Sequence, residues 1–260
     1  MVEKIIRAVE GPIGVLTINR PESLNALDVP TLLALEAAFA EFESDSGLRV
    51  IILTGAGDRA FVAGGDIADL NSRQGLAHYQ EFAEIVHRVF HRIEASDRPT
   101  IAAVNGYALG GGTELMLATD VRVLAKTARL GLPEITLGLF PGAGGTQRLI
   151  RQISPCRAKE IMFTGEQISA EEALTLGLAN KIVAKEDVLA AAKEIARKIA
   201  AKSPLVLKLL KRTLKHGADM PFSAALAYEQ SMIGLVLDTA DAHEGCSAFL
   251  DKRKPNFTGR

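Results

Sequence analysis

The chain has 260 residues, 48% of them hydrophobic and 23% charged, a balance that buries a large core and excludes general disorder. Thirty basic side chains against thirty-one acidic ones leave a formal charge of −1. No global field therefore draws in polyanions or anionic membrane, and an anionic ligand has to be held locally. Cys156 and Cys246 lie far apart with no CxxC spacing, which argues against a disulfide framework or structural zinc and reads as two reduced, packing cysteines.

The opening MVEKIIRAVE scatters charges among its apolar residues and lacks the long apolar stretch of a signal peptide. The longest uncharged run, around Pro99 to Thr113, is glycine-rich and too short to span a bilayer, so a soluble cytoplasmic protein is expected. Ile5 to Val9 and Val15 to Ile18 read as strands joined through EGPIG, a hairpin. NRPESLNALD breaks regular structure before a helix from about Thr31 to Phe42. Val50 to Thr54 is a continuous apolar strand, the kind buried on both faces.

From there the order strand, glycine-rich loop, helix recurs. FVAGGDIADL leads toward a helix near Ala77 to Glu94, and Thr100 to Val104 is again a buried strand before NGYALGGGTE, a short helix and the strand VRVLA from Val121. Ser169 to Glu172 is a capping box opening a helix that Gly177 stops, with a strand at Lys181 to Val183. Beyond about residue 186 the chain is helical: Val206, Leu209, Leu210 and Leu214 share one face, and Pro221 opens a helix with Phe222, Leu226, Ile233 and Leu237 near one face. The expected class is a layered α/β fold, with a core over 1–198 and a helical C-terminal segment over 199–260 that serves as lid or oligomer contact.

Several common sites are absent. PGAGGTQRL, from Pro141, lacks the lysine and spacing of a phosphate-binding loop, and neither GxGxxG nor GxSxG occurs. His87 and His91 stand four apart on a helix but without the glutamate of HExxH, so they read as a polar helix face and no metal is expected.

Three glycine-rich stretches remain, AFVAGGD, NGYALGGGTE and LGLPEITLG, each beside a regular element and each ending near a polar group. Glycines at a strand end let backbone N–H groups approach a ligand, and two such donors make an oxyanion hole. Glu114, after three glycines and a threonine at the head of an apolar run, is costly to bury unless something pairs with it. Glu134 follows Pro133, which taken alone is what an ordinary helix start selects.

Together these stretches make the chain similar to the crotonase (enoyl-CoA hydratase) superfamily. AVNGYALGGGTEL, LGLPEITLGLFPGAGGTQRL, NRPESLNAL and EGCSAFLDKRKPNF match that family's pattern in order, and the match runs from about residue 5 to the C-terminus. The resemblance implies a crotonase-like fold of repeated strand-strand-helix units and an oxyanion hole made by the N–H groups of Gly65 and Gly111. It assigns Glu114 and Glu134 as the catalytic carboxylates, the first holding and activating water, the second delivering a proton. Leu24, Ala26, Ala63, Asp66 and Ile67 become residues that line coenzyme A, and Leu109, Pro133 and Gly142 lie with the substrate. Phe249 and Lys252 match residues that reach a neighbouring subunit's site in a trimer or dimer of trimers. Coenzyme A arrives as part of the acyl-CoA substrate, and no separate cofactor is implied. Retention of both glutamates favours hydration over isomerisation. An RNA-binding role fits poorly with balanced charge and 5% aromatics.

Overall fold

A computed structural model describes residues 3–260. Ten strands follow one another: β1 (Ile5–Glu10), β2 (Ile13–Ile18), β3 (Val50–Gly55), β4 (Ala60–Val62), β5 (Thr100–Val104), β6 (Tyr107–Leu109), β7 (Val121–Ala125), β8 (Arg129–Gly131), β9 (Gln167–Ser169) and β10 (Lys181–Val183). They form two sheets, one in the order β1-β2-β3-β5-β7-β10 and one in the order β4-β6-β8-β9. The expected hairpin is present, with Ile5 paired to Ile18 and Glu10 to Ile13. From β2 onward the larger sheet is parallel.

Three consecutive pairs, β3 then β4, β5 then β6, and β7 then β8, each step from the larger sheet to the smaller one. This is the repeated strand-strand-helix unit. β3 and β5 are buried along their whole length, as continuous apolar runs require.

The described residues also form eleven α-helices: α1 (Val29–Ser44), α2 (Ile67–Asn71), α3 (Glu84–Ala95), α4 (Gly111–Leu117), α5 (Gly145–Gln152), α6 (Pro155–Thr164), α7 (Ala170–Thr175), α8 (Val188–Ala200), α9 (Pro204–Gly217), α10 (Phe222–Leu237) and α11 (Ala240–Leu250). α1 begins two residues before the expected Thr31, because Asp28 accepts the Thr31 N–H at 2.7 Å and Pro30 tolerates a first-turn position. The helix expected from Ala77 is divided: His78–Ala83 is a π-helical turn and α3 follows. α8 packs against β2, β3, β5 and β7, whereas α9 and α10 pack on each other and bury no residue. Both cysteines are free but exposed, so the expectation that they pack in the interior is corrected: each sits on an outward helix position where burial was not required.

Candidate active site

The two carboxylates and two glycines come together where β4, β6 and β8 end. α4 starts directly after β6, so Glu114 falls in its first turn. Gly110 precedes the helix at φ 51°, a left-handed conformation that side chains rarely adopt. A side chain there would also lie 3.0 Å from Glu134 Oε1, so the glycine keeps the space before that carboxyl open. α4 is pinned at both ends. Thr113 Oγ1 donates to Ala108 O and Gly131 O, and the buried Arg122 guanidinium donates to Met116 O at 2.9 Å and to Leu117 O and Thr119 O.

Gly111 is the first residue of α4, so its N–H has no partner within the helix. The Gly65 N–H also finds no acceptor among the described residues. A β-carbon built on Gly111 would lie 3.5 Å from the Gly65 nitrogen, which places the two donors side by side.

Glu114 is 2% exposed. Its Oε1 accepts the N–H groups of Ala143 and Gly145, both at 2.7 Å. Burial pushes this carboxyl up from its ordinary range, against the pull of those two N–H groups and of the Arg148 guanidinium. Glu134 opens a 3₁₀ turn, Pro133–Leu137. Its Oε2 is buried and, among the described residues, finds no hydrogen-bond partner. Burial pushes the Glu134 carboxyl up to about 7, and the charge of Glu114 adds to the rise. The turn start is also an ordinary helix beginning, as Pro133 suggested, but the unpartnered oxygen is not explained by capping.

The loop carrying Leu24 and Ala26 is laid against the segment 63–66 by backbone bonds. Ala63 N–H donates to Leu24 O, Leu27 N–H to Gly64 O, and Asp66 N–H to Leu27 O, all between 2.9 and 3.0 Å. Two residues of NRPESLNAL to which the sequence reading gave no role hold that loop. Buried Asn25 donates to Ala56 O and Ala60 O, and Arg20 donates to Ala26 O at 2.7 Å and to Asp66 Oδ2 at 2.9 Å. Their signal is present in NRPESLNAL but carries no period.

Asp66 is occupied structurally: Oδ1 caps α2 by accepting from Ala68 N–H and Asp69 N–H, while Oδ2 pairs with Arg20. Ile67 is exposed beside it, Leu109 ends β6, Pro133 adjoins Glu134, and Gly142 lies exposed in the loop that holds Glu114. Phe249, 83% exposed, and Lys252 lie at the end of α11, and neither takes a hydrogen bond or ion pair from a site residue. A separate cavity of about 420 Å³ lies between α9 and the end of α4, lined by Leu207, Leu214, Lys215 and Glu94. Neither Glu114 nor Glu134 lines it, and the glycine donors lie elsewhere.

The enoyl-CoA hydratase/isomerase family model matches residues 8–260. The chain belongs to this family. It is 42% identical to the short-chain-enoyl-CoA hydratase of Clostridium acetobutylicum over 96% of this chain and 95% of that one. It is also 42% identical to the crotonyl-CoA hydratase of Syntrophomonas wolfei, over 99% of each. A crystal structure of enoyl-CoA hydratase from Bacillus anthracis matches at a TM-score of 0.95 and 37% identity, covering 99% of this chain and all of that one. No helix among the described residues is long and apolar enough to cross a membrane.

Proposed function

We propose that the protein is an enoyl-CoA hydratase, adding water reversibly across the 2,3 double bond of an acyl-CoA thioester, on the site formed by Gly65, Gly111, Glu114 and Glu134. The supporting observation is the juxtaposition of two unpaired N–H donors with two carboxyls in different settings, one oxygen saturated by two donors and one without a partner. The thioester oxygen sits between the Gly65 and Gly111 N–H groups, and its developing enolate charge is stabilised by about 3–4 kcal/mol from each.

Glu114, as carboxylate, orients a water molecule and takes one of its protons while the water oxygen bonds to C3. The electron pair of the double bond moves toward the thioester oxygen. Glu134, as neutral acid, gives its proton to C2, and the carbonyl re-forms. Water is added without a separate cofactor. Desolvation suits the acid role of Glu134, raising its carboxyl to about 7; at Glu114 it opposes the charge, and the Ala143 and Gly145 N–H groups and Arg148 pull the other way.

Coenzyme A runs along Leu24, Ala26, Ala63 and Ile67, with Asp66 and Arg20 fixing that wall. The protein assembles as a trimer or a dimer of trimers in the cytoplasm. α9 and α10 bury no residue in the single chain, and exposed Leu214, Phe222 and Leu237 support such an assembly. Purified protein mixed with crotonyl-CoA should bleach the absorbance of the conjugated thioester and yield 3-hydroxyacyl-CoA. No bleaching across enoyl-CoA thioesters of increasing length sinks the reading.

A further inference from the structure

The loop that holds Glu114 has to be held itself. Within it Ala143 donates its N–H to Glu114 Oε1, and its carbonyl accepts from Arg148 Nη1 at 3.0 Å. Arg148 sits one turn into α5 and folds back over the helix start. Gly144, at φ 102°, makes room for it, because a β-carbon there would collide with Arg148 Nη1. From the far side Glu94, in the last turn of α3, grips the same guanidinium with both oxygens, at 3.0 and 3.1 Å. The Arg148 side chain is 13% exposed. A planar guanidinium forked between a carboxylate and a carbonyl is a rigid connector that lysine does not reproduce.

We propose that the Arg148–Glu94 pair is a positioning element for Glu114: it fixes the Ala143–Gly145 loop against the catalytic carboxylate and sets how much positive charge that carboxylate feels. The inference rests on the role given to Glu114 above. The groups facing Glu114 are Glu134 from the 3₁₀ turn and Arg148 from α5. Those around the pair are His91 on α3, whose Nδ1 is 4.0 Å from Glu94, and Lys211 and Lys215 on α9 together with Asp120, which share the neighbouring cavity with Glu94. Arg148 favours the ionised form of Glu114, and Glu94 partly offsets that charge.

Two substitutions should therefore move the acid limb of the kcat/KM profile in opposite directions. Arg148→Met removes the cation and raises it; Glu94→Gln removes the offsetting anion and lowers it. Arg148→Met should also lower kcat about 10–10²-fold with KM nearly unchanged, the scale of a small misplacement of a catalytic group. Arg148→Lys should restore the limb but not kcat, since it returns charge without the fork.

The same movements should appear in a ¹³C NMR titration of the Glu114 carboxyl, which needs no turnover. If the native enzyme hydrates no enoyl-CoA, the functional reading fails and this titration alone decides the positioning claim. If Arg148→Met does not fold, Glu94→Gln and Arg148→Lys decide it. Folded variants with native kcat and unmoved titration overturn the proposal, as do movements of one sign in Arg148→Met and Glu94→Gln, which would indicate only general loosening.

Discussion

Replacing Glu134 by Gln separates what this residue does for the reaction from what it costs the fold. The shape is kept, but a transferable proton is lost, so hydration should slow by about 10²–10⁴-fold, the usual worth of a positioned acid. The same change should stabilise the protein at high pH. The folded carboxyl titrates at about 7 against an ordinary 4.5, so the folded state binds this proton more tightly than the unfolded chain does. That advantage is complete below the unfolded value and lost as pH rises through about 7. Each tenfold gain in proton affinity is worth about 1.4 kcal/mol, and discounting for partial solvent contact leaves about 1–2 kcal/mol above neutrality. For a chain of this size that is roughly 2–8 °C in Tm. Calorimetry at pH 5 and pH 9, beside turnover of crotonyl-CoA, checks both halves. Equal stabilisation at the two pH values, or native turnover in the folded variant, would refute the reasoning.

Glu114→Gln should also cost about 10²–10⁴ in turnover, and the double variant should lose far less than the product of the singles, because both groups serve one addition step; independent losses measured in steady state would contradict that. Gly111→Pro deletes one oxyanion donor at a helix position proline tolerates, so kcat should fall about 10²–10³-fold, whereas Gly111→Ala keeps the donor but adds a methyl about 3.5 Å from the Gly65 nitrogen and should raise KM more than it lowers kcat. Circular dichroism and oligomeric state must stay native in both for the comparison to count. Arg20→Met should raise KM for the CoA thioester more than it lowers kcat, since Arg20 ties Ala26 O to Asp66 away from the reacting atoms; a kcat effect alone would place Arg20 elsewhere in the mechanism. Sedimentation showing a stable, active monomer would remove the trimer and any cross-subunit part for Phe249 and Lys252.

Much of the larger sheet was legible because VIILT and TIAAV are long apolar runs with glycines at their ends. The smaller sheet was not, since β4, β6, β8 and β9 are three residues each and three residues show no period. Glu114 stood out as an acid at the head of an apolar helix, and Glu134 only through its motif, because Pro133 gave it an ordinary explanation. PGAGG lacks the marks of a phosphate loop, and its actual use, offering two N–H groups to Glu114, leaves no side-chain signature. Asn25 and Arg148 were invisible for a related reason: both act on backbone carbonyls distant in sequence or hidden by a turn.

The difference between the two carboxyls also constrains the reverse reaction. Burial raises both carboxyls, and the charge of Glu114 adds to the rise at Glu134, so the titration of one depends on the charge of the other. In the proposed mechanism hydration starts with Glu134 protonated and Glu114 charged and ends with Glu134 charged and Glu114 holding the proton taken from water, and dehydration must run from the second arrangement back to the first. The two arrangements differ in where one proton sits, not in how many are bound. An enzyme cannot alter the overall equilibrium between enoyl-CoA and 3-hydroxyacyl-CoA, and no proton is released to solvent in the balanced reaction. Hence the pH profiles of kcat/KM for hydration and dehydration should superimpose, both falling as the pair gains a second proton and as it loses the last one near pH 7. Initial rates measured from each side with the same protein decide this. Profiles displaced from one another would mean that the measured reaction takes up or releases a proton.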